Sequence, residues 1–540
     1  MVGSATRVTA LGRVVGRSWS TGLGVAVLAF LAIAVVYPIV AMLRRFGSDT
    51  ISVTGPAIVK LVGFTVGQAA LSTVLTLLVG LPLSHVLATY RLRWRSLILA
   101  AVLIPFVLPT VVVAVSVRSL LQRFGLAADG IDGSLVAILL AHVVFNVSVV
   151  VRLVSGYWSQ LDPRVAEAAS ALGASPSRRF RRITLPLLRP AILASAAIVF
   201  LFTFTSFGVI IILGGLGRAT VETEIYHFAI TRNDFGSAAA LAVVQAVAVA
   251  GMAVANQRLQ HRLLPSNSGS QRPRVHPVGR QWIYANVVIA STLAFLLAPL
   301  VELLVRSLTV DGSFGFDHFT ALTERPNVLP VSPARSLANS IGFAALAALL
   351  AGSIGTAAAL VAASGSRLAQ LVETAVLIPL GISAVTLGFG YLVGFTFFEL
   401  RRSPILVIVA HAIIGIPFVV GAVLPALRAI DGNLLDAGSS LGASPSRVIQ
   451  RVLSPLVRPA IASGAGFAAA VSMGEFGASG FLARGRSSYT APQAIFGLIG
   501  QPGSSLQGQA SALCVLLGCV IVALVVAIDR ARGTSTGGWL

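Results

Sequence analysis

The chain has 540 residues, 56% of them hydrophobic and only 11% charged. Soluble domains carry about 25% charged residues, so this is an integral membrane protein. Its net charge of +21 would point to nucleic acid in a soluble protein, but here it lies in loops between apolar runs, where it reports membrane orientation instead.

Residues 1–20 carry Arg7, Arg13 and Arg17 and precede an apolar run from Thr21 to Leu43. That run is too long for a signal-peptide core and reads as a retained first span. Further runs of the length that crosses ~30 Å of hydrocarbon fall near 62–88, 97–121, 134–156, 190–213 and 236–256. The polar, Pro/Ser/Arg-rich stretch 257–281 reads as a linker. Six more spans follow near 282–305, 337–363, 371–395, 403–426, 459–482 and 509–528. The expected fold is an all-α polytopic membrane protein of twelve transmembrane helices. Its domains are a first six-span module (1–256), the linker (257–281) and a second six-span module (282–540). Cys514 and Cys519 sit in one apolar run and would point about 140° apart on a helix, which argues against a disulfide or a metal site.

The halves are related. Glu167–Ile192 (EAASALGASPSRRFRRITLPLLRPAI) returns as Asp436–Ile461 (DAGSSLGASPSRVIQRVLSPLVRPAI), with 16 of 26 positions identical at one offset of 269 residues. Such a repeat marks a duplicated module. Asp162-Pro163 is a helix start and Gly173 a helix stop. Ser175-Pro176 opens a second helix, bearing Arg178, Arg179, Arg181 and Arg182, that is expected to end near Pro186. The second copy repeats this with Gly442, Ser444-Pro445 and Pro455. Outside this stretch His142 matches His411, and Ser206-Phe207-Gly208 matches Glu475-Phe476-Gly477. An even number of spans per module makes the two six-helix repeats parallel rather than inverted.

With the N-terminus inside, the inner segments hold 24 Lys/Arg and 5 Asp/Glu, the outer ones 13 and 10. The Lys/Arg excess predicts that both termini, the linker and both repeated loops are cytoplasmic.

A cytoplasmic loop of the form EAA…G…LP between spans four and five of a six-span module resembles the permeases of binding-protein-dependent ABC importers, of the type I, MetI-like fold. The matching residues are Glu167, Ala168, Ala169, Gly173, Leu185 and Pro186. In the second copy they are Asp436, Ala437, Gly438, Gly442, Ser454 and Pro455, with three of six positions substituted. In that family the loops form coupling helix pairs that dock on an ATPase. The resemblance therefore implies a homodimeric ABC ATPase on the cytoplasmic face that binds ATP and Mg, an extracytoplasmic solute-binding protein, surrounding lipid, and residence in the bacterial inner membrane. No cofactor and no nucleic acid are implied for this chain. A Walker A loop needs a lysine after its glycines, and Lys60 in AIVKLVG is the only lysine, so ATP hydrolysis falls to a partner. The chain is expected to be a transport subunit with no catalytic residues. Two fused modules resemble the subgroup for ferric iron, thiamine, phosphonates and similar solutes. LLAHVVFN (139–146) and TVETEIY (220–226) look most like thiamine permeases, with ferric iron as the alternative.

Ionisable residues inside a membrane usually mark a pathway or a pair. Glu475 faces the translocation path or pairs with a neighbouring helix. Its counterpart Ser206 and the equivalent His142 and His411 complete the candidate path; hydrogen-bonded packing is the alternative for the histidines. Glu302, Glu373, Arg118 and Arg152 lie near span ends and can snorkel. Loops 44–60, 306–336 and 483–508 are candidate docking surfaces for the binding protein. Another class of function, an ion-coupled carrier, would need several deep acids, whereas Glu475 stands alone at depth. HExxH, GxSxG and CxxC are absent, which leaves a membrane enzyme without support.

Overall fold

The computed structural model describes residues 17–126, 133–215, 217–263, 274–395 and 403–531. Apolar runs become helices because hydrocarbon offers a backbone N–H or C=O no partner, and a helix satisfies both within the segment. In the first half these are α1 (Ser20–Ser48), α2 (Gly55–Thr89), α3 (Arg95–Val107), α4 (Thr110–Arg123), α5 (Leu135–Trp158), α6 (Pro163–Ala171), α7 (Pro176–Phe204), α8 (Gly208–Leu213), α9 (Val221–Tyr226) and α10 (Phe235–Leu263). In the second half they are α11 (Arg280–Ser307), α12 (Pro333–Ala362), α13 (Arg367–Ala375), α14 (Ala384–Gly394), α15 (Pro404–Ala429), α16 (Gly432–Ser440), α17 (Ile449–Gly474), α18 (Gly477–Leu482), α19 (Ala491–Ile499) and α20 (Ser504–Ala531). A two-stranded hairpin, β1 (Thr309–Val310) and β2 (Ser313–Phe314), follows α11.

The all-α polytopic fold stands, and several of its runs are interrupted. Among the described residues ten helices are long and apolar enough to cross a bilayer, or eleven if α3 and α4 count as one. The run 97–121 bends by 99° between α3 and α4. Pro109 forces the residue before it out of the helical region, and Leu108 is extended (φ −70°, ψ 148°). The run 371–395 breaks into α13 and α14, with Pro379 between them and Ser383 capping α14 by accepting from Val385 N at 3.1 Å. The fifth and eleventh runs also break, at the SFG and EFG triplets, leaving the short α8 and α18 after the main helix.

Two compact units emerge, and they cut across the sequence modules 1–256 and 282–540. One takes the described residues up to Ser52, Ile225–Ala246 and the described residues from Phe316 onward. The other takes Val53–Glu224 and Val247–Gly315. The opening helix of each module thus belongs to the unit built on the other module.

In the first unit α1 packs on α12, α13 and α14. Pro38 has no N–H to give the carbonyl of Ala34 four residues back, and α1 widens there into a π turn (Ala32–Val36). The hydroxyl of Tyr391 on α14 donates to that carbonyl at 2.8 Å, and Tyr37 Oη returns a bond to Gly394 O at 2.7 Å. In the second unit α11 packs on α2, α3 and α4. Arg123 meets Glu302 at 2.9 Å, and Arg306 bonds Gln122. Glu302 therefore pairs across helices rather than snorkelling. Glu373 does likewise, taking Arg428 Nη2 on both carboxylate oxygens at 3.0 and 2.9 Å.

Each unit has a core of two closely crossing helices with a small residue at the contact. A Cβ on Gly80 of α2 would lie 2.8 Å from Val150 of α5, and one on Gly355 of α12 would lie 2.7 Å from Val419 of α15. Leucine at either position is expected to lower the thermal unfolding midpoint, at a cost of about 1–3 kcal/mol for overpacking. Leucine at Gly63, whose Cβ would meet nothing within 4 Å, should leave the midpoint unchanged.

Within the first unit a polar strap ties residues 49–52 to the start of α10. Asp234 accepts from the Ser52 hydroxyl and from Ser237 N (2.9 Å), while Ser52 N donates to Ser237 Oγ at 2.8 Å. Burial pushes the Asp234 carboxyl up, but these hydrogen bonds and nearby Arg232 outweigh it and hold the group below its ordinary value of 3.8. A lowered value stabilises the strap above the unfolded value, and that stability is lost as pH falls through the folded one. Protection of 49–52 from hydrogen exchange, corrected for the intrinsic rate, should therefore fall below about pH 4, and Asp234→Asn should reduce that pH dependence.

Candidate functional site: two loops and two buried helix breaks

The repeated loops fold as helix, turn, helix. Asp162 caps α6 by accepting from Arg164 N at 2.9 Å. Asp431 does the same for α16 by accepting from Asn433 N at 3.1 Å, which replaces the proline start that the second copy lacks. Gly173 and Gly442 end these helices at φ +78° and +76°, a left-handed conformation that only glycine adopts freely. Gly173 N and Ala174 N return to Ser170 O and Ala169 O at 3.0 Å each, closing the helix end. Ser175 then opens α7, accepting from Arg178 N at 3.4 Å.

The expectation that this second helix ends near Pro186 is overturned. It continues through a π turn (Phe180–Thr184) into the fifth span, so α7 is one helix from Pro176 to Phe204. The wider turn accommodates a proline at Pro186 that would clash with the carbonyl of an α-helical turn before it. In the second copy a π turn (Ile449–Leu453) precedes Pro455 in the same way. The second helix of each loop is therefore continuous with a transmembrane helix.

Of the signature residues, Glu167, Ala168 and Gly173 are exposed, Ala169 is buried, and Leu185 and Pro186 are half-buried. In the second loop Asp436, Ala437, Gly442 and Pro455 are exposed, and Gly438 and Ser454 half-buried. A Cβ at Gly438 would already touch Val448 at 3.3 Å. Missed in the sequence were Leu172 and Leu441, each 88% exposed at the tip of its turn. Their signal was a leucine before each stop glycine, in a polar loop where nothing else demands one.

Deeper in each unit the structure joins the remaining predicted residues in pairs. His142 of α5 bonds Ser206, at the α7–α8 break, through Nε2 (2.9 Å) and Ser72 of α2 through Nδ1 (3.0 Å). His411 of α15 bonds Ser472 through Nδ1 (2.8 Å). Its Nε2 faces Ser479 Oγ (3.0 Å) and Glu475 Oε2 (3.2 Å). Glu475 lies between α17 and α18 and caps α18: Oε1 accepts from Ala478 N (2.9 Å), and Oε2 from Ser479 N (3.0 Å) and Ser479 Oγ (3.2 Å). Glu475 thus pairs with a neighbouring helix through His411 of α15. Ser72, Ser472 and Ser479 escaped the sequence reading because their counterparts at the repeat offset are not serines. Among the described residues no three His, Cys, Asp or Glu side chains come together as a metal site.

Comparison with known proteins fits this architecture. The model for "binding-protein-dependent transport system inner membrane component" matches residues 5–265 and 351–532. The chain is 27% identical to the thiamine transport system permease protein ThiP of Brucella abortus (strain 2308), with all of both chains covered. It is 27% identical to ThiP of Escherichia coli K12, over 88% of this chain and 90% of that one. The sulfate transport system permease protein CysT of Salmonella typhimurium is 28% identical over 40% of this chain and 83% of its own. With a family model matched in both halves across most of its length, this chain belongs to the inner membrane components of binding-protein-dependent transport systems.

Proposed function

We propose that this chain is the fused permease of an ATP-driven importer that carries thiamine from an extracytoplasmic binding protein to the cytoplasm. The observation that carries the cargo is similarity to thiamine permeases along the whole length of both chains. The loops support the coupling. Two rigid turns, each presenting an exposed leucine above a transmembrane helix, suit insertion into clefts of a homodimeric ATPase, and that partner binds ATP and Mg. Glu167, Ala168, Ala169, Gly173, Leu185 and Pro186 form one coupling surface, and Asp436, Ala437, Gly438, Gly442, Ser454 and Pro455 the other. The Lys/Arg count supports a cytoplasmic position for these loops and both termini, with the binding protein on the opposite face and lipid around the spans.

The test is uptake of labelled thiamine into proteoliposomes holding this chain, its ATPase and its binding protein. Uptake is expected only with ATP and all three components. Uptake of ferric iron, a phosphonate or a polyamine in place of thiamine would move the cargo. Uptake driven by an imposed ion gradient without the ATPase would replace the mechanism with an ion-coupled carrier.

A further inference from the structure

The two helix breaks occupy equivalent places but are held very differently. Glu475 receives two backbone N–H groups, the Ser479 hydroxyl and His411 Nε2. An ionised carboxylate offers about four acceptor sites; here Oε2 meets three donors and Oε1 accepts from Ala478 N, so both oxygens are engaged in holding the break. It is also buried, 8% exposed, beside a histidine 2% exposed. Beyond α18 the chain is tied again, where Asn339 Nδ2 of α12 donates to Tyr489 O at 3.0 Å.

In the first module Ser206 stands where Glu475 does. Among the described residues its hydroxyl bonds His142 alone and takes no N–H from α8. A neutral hydroxyl has neither the charge nor the reach to cap two amides at once. After α8 the chain passes Gly214 and Gly215, the latter at φ +56°, and among the described residues is tied again at Val221, whose N–H donates to Thr65 Oγ1 of α2 at 3.2 Å.

We propose that His411 and Glu475 are a positioning pair that holds the second module's break rigid, so that the Ser206 break of the first module is the one that moves during transport. Neither residue touches cargo. Glu475 fixes α18 through its N-terminal amides, and His411 keeps the carboxylate aimed at them. The proposal rests on the importer reading for its transport readout, whereas its exchange readout does not depend on the cargo.

The experiment uses the full complex, in lipid nanodiscs for hydrogen exchange followed over 475–482 and 206–213, and in proteoliposomes for thiamine uptake measured in parallel. Glu475→Ser, which copies the first module, is expected to speed exchange over 477–482 by about ten- to a hundredfold, the value of bonds to an ionised acceptor. Glu475→Gln, which keeps one acceptor oxygen, should fall between. Both should lower the maximal uptake rate with KM for the loaded binding protein unchanged. Ser206→Glu should slow exchange over 208–213 and reduce the maximal rate at least about tenfold. A raised KM with unaltered exchange in Glu475→Ser would make Glu475 a cargo ligand and overturn the proposal. So would Ser206→Glu that slows exchange at its break yet transports at the full rate. If Ser206→Glu does not fold, exchange in the Glu475 variants decides. If the parent complex fails to move thiamine, the cargo reading fails while exchange still judges the pair.

Discussion

Gly173→Pro combined with Gly442→Pro is expected to abolish association with the ATPase and leave membrane insertion intact. Both glycines sit at positive φ, +78° and +76°, whereas proline is fixed near −65°, so neither turn can form with proline. Proline at 173 also removes the N–H that donates to Ser170 O. The spans are untouched because α7 and α17 are stabilised within the membrane. What changes is the direction in which α6 and α16 leave the turn, and with it the placement of Leu172 and Leu441. A well-buried interface anchor is worth about 2 kcal/mol or more on truncation. Leu172→Asp with Leu441→Asp should therefore lose at least about thirtyfold in affinity even with the turns preserved. Co-purification of the ATPase checks both pairs, with protease protection of the spans as the folding control. Retained co-purification in the proline pair would remove the docking role from these loops.

His411→Leu is expected to destabilise the protein more than His142→Leu does, although the two histidines are equivalent in sequence and equally buried. Removing His142 strands the hydroxyls of Ser72 and Ser206, and an unsatisfied buried polar group costs about 1–3 kcal/mol. Removing His411 strands the Ser472 hydroxyl and takes from the buried Glu475 carboxylate its partner on a neighbouring helix, and breaking a buried pair costs about 3–5 kcal/mol. Thermal unfolding in detergent should order the variants as parent, His142→Leu, His411→Leu. Adding Glu475→Gln to His411→Leu should recover part of the loss, because a neutral amide needs no counter-charge. Equal midpoints for the two histidine variants would show that Glu475 does not depend on His411.

Much of this was legible in the residues. Asp162-Pro163, Gly173 and Ser175-Pro176 are local signals, and each does in the structure what its chemistry demands, because caps and positive-φ turns are decided within a few residues. The constant offset between the copies paired His142 with His411 and Ser206 with Glu475 without any coordinates. Pro186 misled because its effect depends on the turn before it: a π turn makes room for the ring, and nothing local in RRFRRITLP announces one.

By itself, then, the sequence determined membrane residence, two homologous modules, their loops and the identity of the residues at each break, since composition, periodicity and repetition are properties of the chain alone. Only the tertiary structure decided that the opening helix of each module packs within the unit built on the other, that the third and ninth runs are broken, and that Glu475 spends its acceptors on α18 and His411. These depend on which surfaces meet across hundreds of residues: Tyr391 with the carbonyl that Pro38 leaves free, Glu302 with Arg123, Gly80 with Val150. No local pattern encodes them, because each exists only once both partners are folded.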